Sequence, residues 1–332
     1  MFSRIRVQPD GLIRGLAIAS VVFNHAAALS GRPFELGGGM NALIILSGYS
    51  FARFVLIHDT AAATRFSIRQ FAFHLALATL PLMLIAFVII GYFDISEIFF
   101  YTNIVHMSEI KLLYTWYPQV ILQICLFVYA LTFISPVFNL FQKSRFISSL
   151  FAVVAGFIAY ILLKDWQPGG GATRLPQYSF WMFALGWVVL YGKSAEGRQG
   201  RLIRIALVLL TALFAFYQFG FQKDVLRPII SVVTVGAILF MPDVVMPKPL
   251  ARMFLIASQA ALTIYLLHLP FIKLFDALHL RPHKTGFHLG ENVAAWAFSF
   301  FGCIVFWLVA SSLTRAWRHE TSHARQLSLK VT

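Results

Sequence analysis

Two polar side chains on one apolar stretch near the amino terminus have the types and the spacing that chemistry inside a membrane requires. Residues 10–29 are long enough to cross a bilayer, yet they include Arg14 and His25. Ionisable groups in a membrane helix are costly and mark a functional site by default. Arg14 and His25 lie eleven residues apart. That spacing is close to three helical turns, so the two side chains project from one face, about 16 Å apart.

A second imidazole lies near the other end of the chain, in the segment 265–270, YLLHLP. His268 is predicted to lie at a membrane depth similar to that of His25. Pro270 cannot donate the helical hydrogen bond to the carbonyl one turn earlier, which indicates a kink or a locally polar backbone. A single buried histidine is more often a packing residue, but two at similar depth favour a functional site.

The second apolar segment and the loop after it contain further candidates. Ser47 precedes Gly48 near the middle of the segment, where close helix packing is the favoured explanation of both residues and chemistry is the alternative. A nucleophilic serine would also need a base within hydrogen-bond reach. Arg53 ends the same segment, and Arg65 and Arg69 follow in the next loop. These arginines could hold phosphate groups or could only set the membrane topology.

The composition predicts which elements position these residues. Of the 332 residues, 59% are hydrophobic and 12% are charged, against about 25% charged residues in a soluble domain. Apolar runs of membrane-spanning length follow one another along the chain, which predicts an all-α, polytopic membrane protein. The predicted spans are ten, at roughly 12–29, 40–57, 70–92, 118–140, 146–163, 177–191, 203–220, 226–242, 253–275 and 292–313.

The charge distribution predicts how these spans are oriented. With a cytoplasmic amino terminus, 18 of the 27 Lys and Arg residues but 5 of the 13 Asp and Glu residues fall in cytoplasmic segments. An excess of Lys and Arg in short inner loops is the positive-inside pattern. A multi-pass protein of the inner membrane with both termini cytoplasmic is therefore predicted. Topology and anionic lipid explain the net charge of +14, so no nucleic-acid partner is expected.

No connection between the spans is long enough for a separate soluble domain. Residues 1–314 are expected to form one integral-membrane domain, and 315–332 a short basic cytoplasmic tail. Cys125 and Cys303 lie inside apolar runs and are interpreted as packing residues. Three histidines of one outer loop have loosely ligand-like spacing without a nearby cysteine, so no metal site is predicted there. They are His279, His283 and His288.

Three motifs taken together resemble the acyltransferase 3 family of integral-membrane proteins. Residues 10–17, DGLIRGLA, followed by His25, resemble its first-helix motif, in which ten residues separate an Arg from a His. Residues 39–49, GMNALIILSGY, are similar to its second-helix motif, which ends in Ser-Gly-aromatic. Residues 265–270 are similar to its late Tyr-Leu-x-His-x-Pro motif. The three motifs occur in the family's order and cover nearly the whole chain.

The chain departs from the family pattern at two places. Leu43 and Ile44 stand where the family often has paired phenylalanines. The family's tight run of arginines ending in proline is reduced here to Arg65 and Arg69.

The resemblance implies an activity. Members of the family transfer an acyl group, usually acetyl, from a cytoplasmic acyl-CoA to a hydroxyl group of a cell-envelope glycan or a related acceptor. The expected donor substrate is therefore acetyl-CoA, and the expected acceptor is a glycan or lipid-linked saccharide. Some members have a soluble esterase-like domain at the carboxyl end. Only the short tail follows the last predicted span here, so the membrane unit is expected to complete the transfer alone or with a separate periplasmic partner.

The resemblance also implies roles for the polar residues. His25 is expected to act as general base on the acceptor hydroxyl, or to carry the acyl group transiently. Arg14 is expected to serve both catalysis and donor binding, while His268 and Ser47 orient the acceptor or the carbonyl group. The arginines expected to hold the phosphates of the donor are Arg14, Arg53, Arg65 and Arg69.

Two alternatives remain at the level of sequence. A transporter or flippase of a polar or glycan substrate could use the same intramembrane residues, and it would move substrate without consuming acyl-CoA. A membrane-bound O-acyltransferase of the other architecture also has a buried histidine, but it gives no role to the Arg-to-His spacing of the first helix. A structural protein would need neither this spacing nor His268.

Overall fold

The computed structural model of the chain describes residues 3–28, 37–91, 94–105, 115–166, 174–220, 225–280 and 288–328. Almost all of the regular structure in these ranges is helical. The helices are α1 Pro9–Ala28, α2 Gly39–Phe54, α3 Ala61–Ile90, α4 Ile95–Ile98, α5 Thr102–Val105, α6 Trp116–Leu131, α7 Ser135–Lys143, α8 Arg145–Leu163, α9 Pro176–Lys193, α10 Gly197–Phe219, α11 Leu226–Phe240, α12 Lys248–Gln259, α13 Ala261–Ala277 and α14 Leu289–Ser328. The strands are β1 Arg4–Val7 and β2 Val244–Pro247.

Local sequence signals fix several helix ends. Thr60 caps α3, because its hydroxyl accepts a hydrogen bond from the amide of Ala63 at 3.3 Å. Gly91 follows α3 with a φ of 69°, and Gly220 follows α10 with a φ of 75°. Residues with a side chain rarely adopt a positive φ, so glycine is the residue that ends a helix in this way. Pro176 occupies the first position of α9, where the missing amide hydrogen costs nothing.

The predicted membrane segments are largely helical in the described residues. Each of the ten predicted spans coincides with one helix or with two consecutive helices. By length and apolar composition alone, four described helices qualify as membrane spans, or up to six if each bent pair counts as one. The all-helical, multi-pass architecture is confirmed, whereas the number of ten and the cytoplasmic termini stay predictions.

Two segments that are predicted as single spans are bent helix pairs. The segment 118–140 divides into α6 and α7, whose axes differ by 99°. Pro136, in the first turn of α7, explains this break, because proline cannot continue the hydrogen bonding of the preceding helix. The segment 253–275 divides into α12 and α13, which differ by 80°.

The two strands are not predicted by the sequence analysis. β1 and β2 pair antiparallel, with Ile5 opposite Met246. The amide of Lys248 extends the pairing by donating to the carbonyl of Ser3 at 2.9 Å. The pairing joins segments far apart in the chain, so no local pattern indicates it. It places the amino terminus beside the start of α12.

The helices enclose two large hydrophobic cores, and two smaller hydrophobic clusters lie outside them. The larger core contains residues of α2, α6, α8, α9, α10 and α11. The second contains residues of α1, α3, α13 and α14 and the beginning of α2. Ile13, Trp116 and Tyr117 pack against both cores. These three residues therefore mark the boundary between the cores, and the polar residues described below lie along that boundary.

α2 and α9 cross in close backbone contact inside the larger core. A methyl group at Gly48 would overlap the carbonyl of Phe183, and one at Gly186 would overlap the carbonyl of Ile45. Small residues at a crossing allow helix backbones to approach this closely. The glycine of the Ser-Gly-Tyr motif is thus explained by packing, and its position fixes that of the neighbouring Ser47.

Candidate functional site

The two histidines of the sequence motifs form one pair. His25 Nδ1 and His268 Nε2 are 2.6 Å apart. The rings are stacked, with their centroids 4.8 Å apart and an angle of 11° between the ring planes. His268 is completely buried, while His25 is partly exposed. The pair joins α1 to α13, which are distant in sequence.

Backbone contacts of His268 define the hydrogen positions in the pair. His268 Nδ1 lies 2.7 Å from the carbonyl oxygen of Tyr265 and 3.0 Å from that of Ile264. A carbonyl only accepts, so His268 Nδ1 carries the hydrogen and His268 Nε2 is left as an acceptor. His25 Nδ1 therefore donates to His268, and the lone pair of a neutral His25 is on Nε2. A histidine held in this tautomer is arranged to accept a proton at Nε2.

Contacts along α1 hold His25 in place. The indole Nε1 of Trp296, in α14, donates to the carbonyl of Ala19 at 3.0 Å. A methyl group at Gly15 would lie 3.1 Å from the carbonyl oxygen of Phe254, in α12. α1 is therefore fixed on two sides, and Gly15 allows α12 to approach it closely.

The side chain of Arg14 is hydrogen-bonded to α2. Arg14 Nη2 donates to the hydroxyl of Ser50 at 2.7 Å and to the carbonyl of Leu46 at 3.3 Å. The structure shows no ion pair between Arg14 and Asp10, although one helical turn separates them. Arg14 is thus turned toward the protein interior, where its hydrogen bonds are to α2.

Ser47 lies beside Arg14 rather than beside the histidines. Its hydroxyl is 2.6 Å from the phenolic oxygen of Tyr117. Tyr117 occupies the first turn of α6 and packs edge-on against Tyr265, with the ring centroids 5.1 Å apart. A Ser–His dyad is therefore not present among these residues, and Ser47 is placed as a hydrogen-bonding group.

Two cavities meet at the wall formed by Tyr265. One, of about 180 Å³, is lined by Arg14, Ser47 and Tyr117. The other, also about 180 Å³, is lined by His25, with the beginnings of α2, α9 and α11 around it. Tyr265 lines both cavities. The structure thus brings Arg14 and Ser47 together on one side of Tyr265 and places the imidazole pair toward the other.

The remaining predicted arginines lie away from both cavities. Arg53 Nη1 donates to Gln8 Oε1 at 3.5 Å and is exposed. Arg65 Nη1 donates to the carbonyl of Thr132 at 3.2 Å, at the carboxyl end of α6. Arg69 is exposed. None of the three lines the Arg14 cavity among its described residues.

Sequence reasoning did not select several residues that line the His25 cavity. Arg174, just before α9, and Arg227, in the first turn of α11, line it, and neither belongs to a motif helix. The signal that could have found them is their charge, since both are basic residues on the side where the positive-inside pattern leaves few. The sequence shows Tyr265 only as the first residue of the late motif, and the place of Tyr117 and Tyr265 beside the cavities depends on tertiary packing.

A buried hydrogen-bond chain leads from α4 to the backbone of Arg174. The hydroxyl of Thr115 donates to Glu97 Oε2 at 2.8 Å, and Gln119 Nε2 donates to that hydroxyl at 3.2 Å. The amide of Asn103 donates to Gln119 Oε1 at 3.1 Å, and Asn103 Nδ2 donates to the carbonyl of Arg174 at 3.0 Å. The chain ties α4, α5 and α6 to the rim of the His25 cavity.

Glu97 begins this chain as a completely buried carboxyl group. Burial, and to a smaller extent the nearby Asp94, raise the pKa of Glu97, and the hydrogen bond from Thr115 only partly opposes them. The resulting pKa is about 8. Glu97 therefore holds a proton at neutral pH.

The outer-loop histidines and the predicted carboxyl-terminal tail lie only partly within the described residues. Within the described residues, no group of three or more His, Cys, Asp or Glu side chains could hold a metal ion. His283 lies outside the described residues. The predicted tail continues α14 to Ser328, and residues 329–332 lie outside the described residues.

Comparison with known proteins gives one match. The sequence model of the acyltransferase 3 family, described as an acyltransferase domain, matches residues 11–317. No curated protein and no solved structure matches the chain significantly.

Proposed function

Because the chain belongs to the acyltransferase 3 family and is therefore a membrane acyltransferase, we propose that it transfers an acetyl group from acetyl-CoA to a hydroxyl of a glycan. The donor reaches the Arg14 cavity from the side of the termini, which we assign to the cytoplasm. The acceptor, a cell-envelope or lipid-linked saccharide, reaches the His25 cavity from the opposite side of the inner membrane.

The observation that carries this proposal is the hydrogen-bonded pair His25–His268 beside a cavity. Its tautomers leave Nε2 of His25 as a base, which is the group that activation of a hydroxyl requires. A histidine present only for packing would not need a second, fully buried imidazole to fix its tautomer.

The proposed reaction is a single displacement at the acetyl carbonyl carbon. Nε2 of His25 removes the proton of the acceptor hydroxyl as its oxygen attacks, and the new C–O ester bond forms. The C–S bond of the thioester then breaks, and the imidazolium of His25 returns the proton to the leaving sulfur. His268 holds the ring of His25 throughout, and Ser47 and Tyr117 provide hydroxyl groups near the path of the carbonyl.

Donor binding is proposed to depend mainly on Arg14. It lines the cavity with Ser47, and its guanidinium has further N–H groups beyond those that contact α2. Arg53, Arg65 and Arg69 are proposed to attract the nucleotide part of the donor from outside the cavity. Their separation from Arg14 supports a role in the approach of the donor rather than in the transfer step.

Labelled acetyl-CoA provides the test. Membranes with the wild-type protein should convert it into base-labile ester on an added or endogenous glycan, and His25→Ala should abolish this transfer. His74→Ala is the matched control, because His74 is an exposed histidine of α3, and it should retain full activity. Full activity of inserted His25→Ala, or movement of saccharide without loss of acetyl-CoA, would contradict the proposal.

A further inference from the structure

The His25 cavity has a charge that the proposed reaction does not require. Arg174 and Arg227 line it together with His25, and no Asp or Glu is among its described lining residues. The other polar groups there are neutral donors and acceptors, Asn24 and Asn41 among them. Two guanidinium groups at one cavity favour a ligand with negative charge.

Arg174 is held at this cavity by the buried chain that begins at Glu97. The chain ends on the carbonyl of Arg174, so the residue is positioned through its backbone. Burial, and then the neighbouring Arg227 cation, lower the pKa of Arg174, although a contribution from Tyr265 opposes them. A guanidinium in that environment gains more from an anionic ligand than an exposed one does.

Arg227 is brought to the same cavity by the close approach of α2 and α11. A side chain at Gly38 would meet Ile230 at 2.9 Å and the Cα atom of Arg227 at 3.1 Å, and Gly38 has a φ of 103° that favours glycine. The guanidinium of Arg227 lies 5.8 Å from the ring centroid of Phe219. The glycines before α2 thus set the distance between Arg227 and the first turn of α2.

The backbone adds to the positive potential. Three helices begin around the cavity, α2, α9 and α11, and none has a side-chain hydrogen bond at its cap. Each helix amino terminus has partial positive charge from its unpaired amide groups. These termini add to the two arginines and do not define the site by themselves.

We propose that the acceptor is anionic, and that Arg174 and Arg227 bind a carboxylate or phosphate group on the sugar next to the hydroxyl that is acylated. This inference rests on the proposed function, since it assigns the acceptor of the same site. The cavity volume of about 180 Å³ is below the roughly 300 Å³ at which ordinary ligand sites begin. It therefore accommodates one charged sugar residue, with the rest of the glycan outside.

The experiment compares three probes on the purified full-length protein with acetyl-CoA as donor. They are a galacturonic acid trimer, its carboxyl-reduced neutral counterpart, and the same neutral trimer with one phosphate group. Wild type should acetylate a charged trimer at least about 10-fold better, in kcat/KM, than the neutral one. Preference for the uronate or for the phosphorylated trimer identifies the anionic group. Equal use of all three, or preference for the neutral trimer, overturns the inference.

Variants separate the two arginines from general effects of charge. Arg174→Gln and Arg227→Gln should each remove most of the preference, mainly through a higher KM for the charged trimer. Arg174→Lys and Arg227→Lys should retain part of it. Arg198→Gln, an exposed arginine at the opposite end of the molecule, is the control and should retain all of it. Unchanged preference in both Gln variants also overturns the inference.

Binding without turnover keeps this test separate from the proposed function. If no probe is acetylated and acetyl-CoA is not consumed, the proposed function fails, and thermal stabilisation of the protein by each trimer decides the present inference. Stabilisation by a charged trimer that is lost in Arg174→Gln and Arg227→Gln supports an anion site. Equal or absent stabilisation by all three trimers overturns it.

Discussion

A hydrogen-bonded imidazole pair differs from a single histidine because one ring fixes the tautomer of the other. The carbonyls of Tyr265 and Ile264 hold the hydrogen of His268 on Nδ1, and His268 in turn orients His25. Pro270 lies one turn beyond Leu266 and leaves the carbonyl of Leu266 without its helical donor. The late motif thus combines a buried acceptor with a backbone that is polar locally.

His268→Phe tests whether the second ring orients the first. Phenylalanine retains an aromatic ring but removes the nitrogen that accepts from His25, so kcat should fall by about 100-fold or more. The KM for acetyl-CoA should remain close to that of the wild type, because His268 is not among the residues that line the Arg14 cavity. Steady-state kinetics on the purified protein provide the measurement, and an unchanged kcat would show that the pair has no orienting role.

Only part of the site could be predicted from the sequence. The spacing of Arg14 and His25 predicts one face of one helix, because helical periodicity is a local property. The partners of these residues are not local: Ser50 for Arg14, His268 for His25, and Tyr117 for Ser47 lie on other helices. Motifs could select His268 and Ser47, but no local pattern could pair them.

At the scale of elements, the crossing of α2 and α9 is the contact with least tolerance. Gly48 and Gly186 face backbone carbonyls across this contact, and backbone cannot move aside as a side-chain end can. The sequence predicts both helices, but it does not predict that they touch at these two glycines. The crossing therefore supplies the packing reason for Gly48 that the sequence already favours over a chemical one.

Gly48→Ala and Gly186→Ala should each lower stability by about 1–3 kcal/mol or more, because the added methyl group overlaps backbone. Gly236→Ala is the matched control, since a methyl group there meets nothing within 4 Å. Alanine is the better helix former, so this control should be unchanged or slightly more stable. Thermal unfolding in one detergent compares the three variants, and equal melting temperatures would contradict the close crossing.

Glu97, in α4, is joined to α5 and α6 by the buried hydrogen-bond chain. The pKa of Glu97 is raised from 4.5 to about 8 in the folded protein. Between these values the folded state binds a proton that the unfolded state lacks, so stability falls as pH rises through this window. The contribution is complete below pH 4.5 and is lost as pH passes 8.

Glu97→Gln should remove this dependence, because the amide is neutral at every pH and keeps an oxygen to accept from Thr115. Melting temperatures at pH 5 and pH 8.5 should therefore fall more between the two conditions in wild type than in the variant. Asp59→Asn is a suitable control, because this exposed carboxylate pairs with Arg145 at the other end of the molecule. Parallel pH profiles for wild type and Glu97→Gln would contradict the prediction.

On the scale of the whole molecule, the polar residues lie where two hydrophobic cores meet. Composition and hydropathy predict that the chain is a helical membrane protein, since every apolar run has to be buried in lipid or in a core. They do not predict the division into two cores, the bends at Thr132 and Ala260, or the strand pairing of the amino terminus. These features depend on contacts between distant segments, which hydropathy does not encode.

The arrangement of two cavities on either side of Tyr265 bears on how much net charge the proposed reaction moves across the membrane. If His25 returns the acceptor's proton to the sulfur, an acylium equivalent moves outward while one proton moves inward, and no net charge crosses the membrane. A transporter of an anionic saccharide would instead exchange about 2.3 kcal/mol with the field for each charge per 100 mV. In proteoliposomes under a potassium diffusion potential, the acetylation rate should therefore be the same at either sign of the potential. A protein arranged in this way would modify glycans at an undiminished rate in cells whose membranes are depolarised.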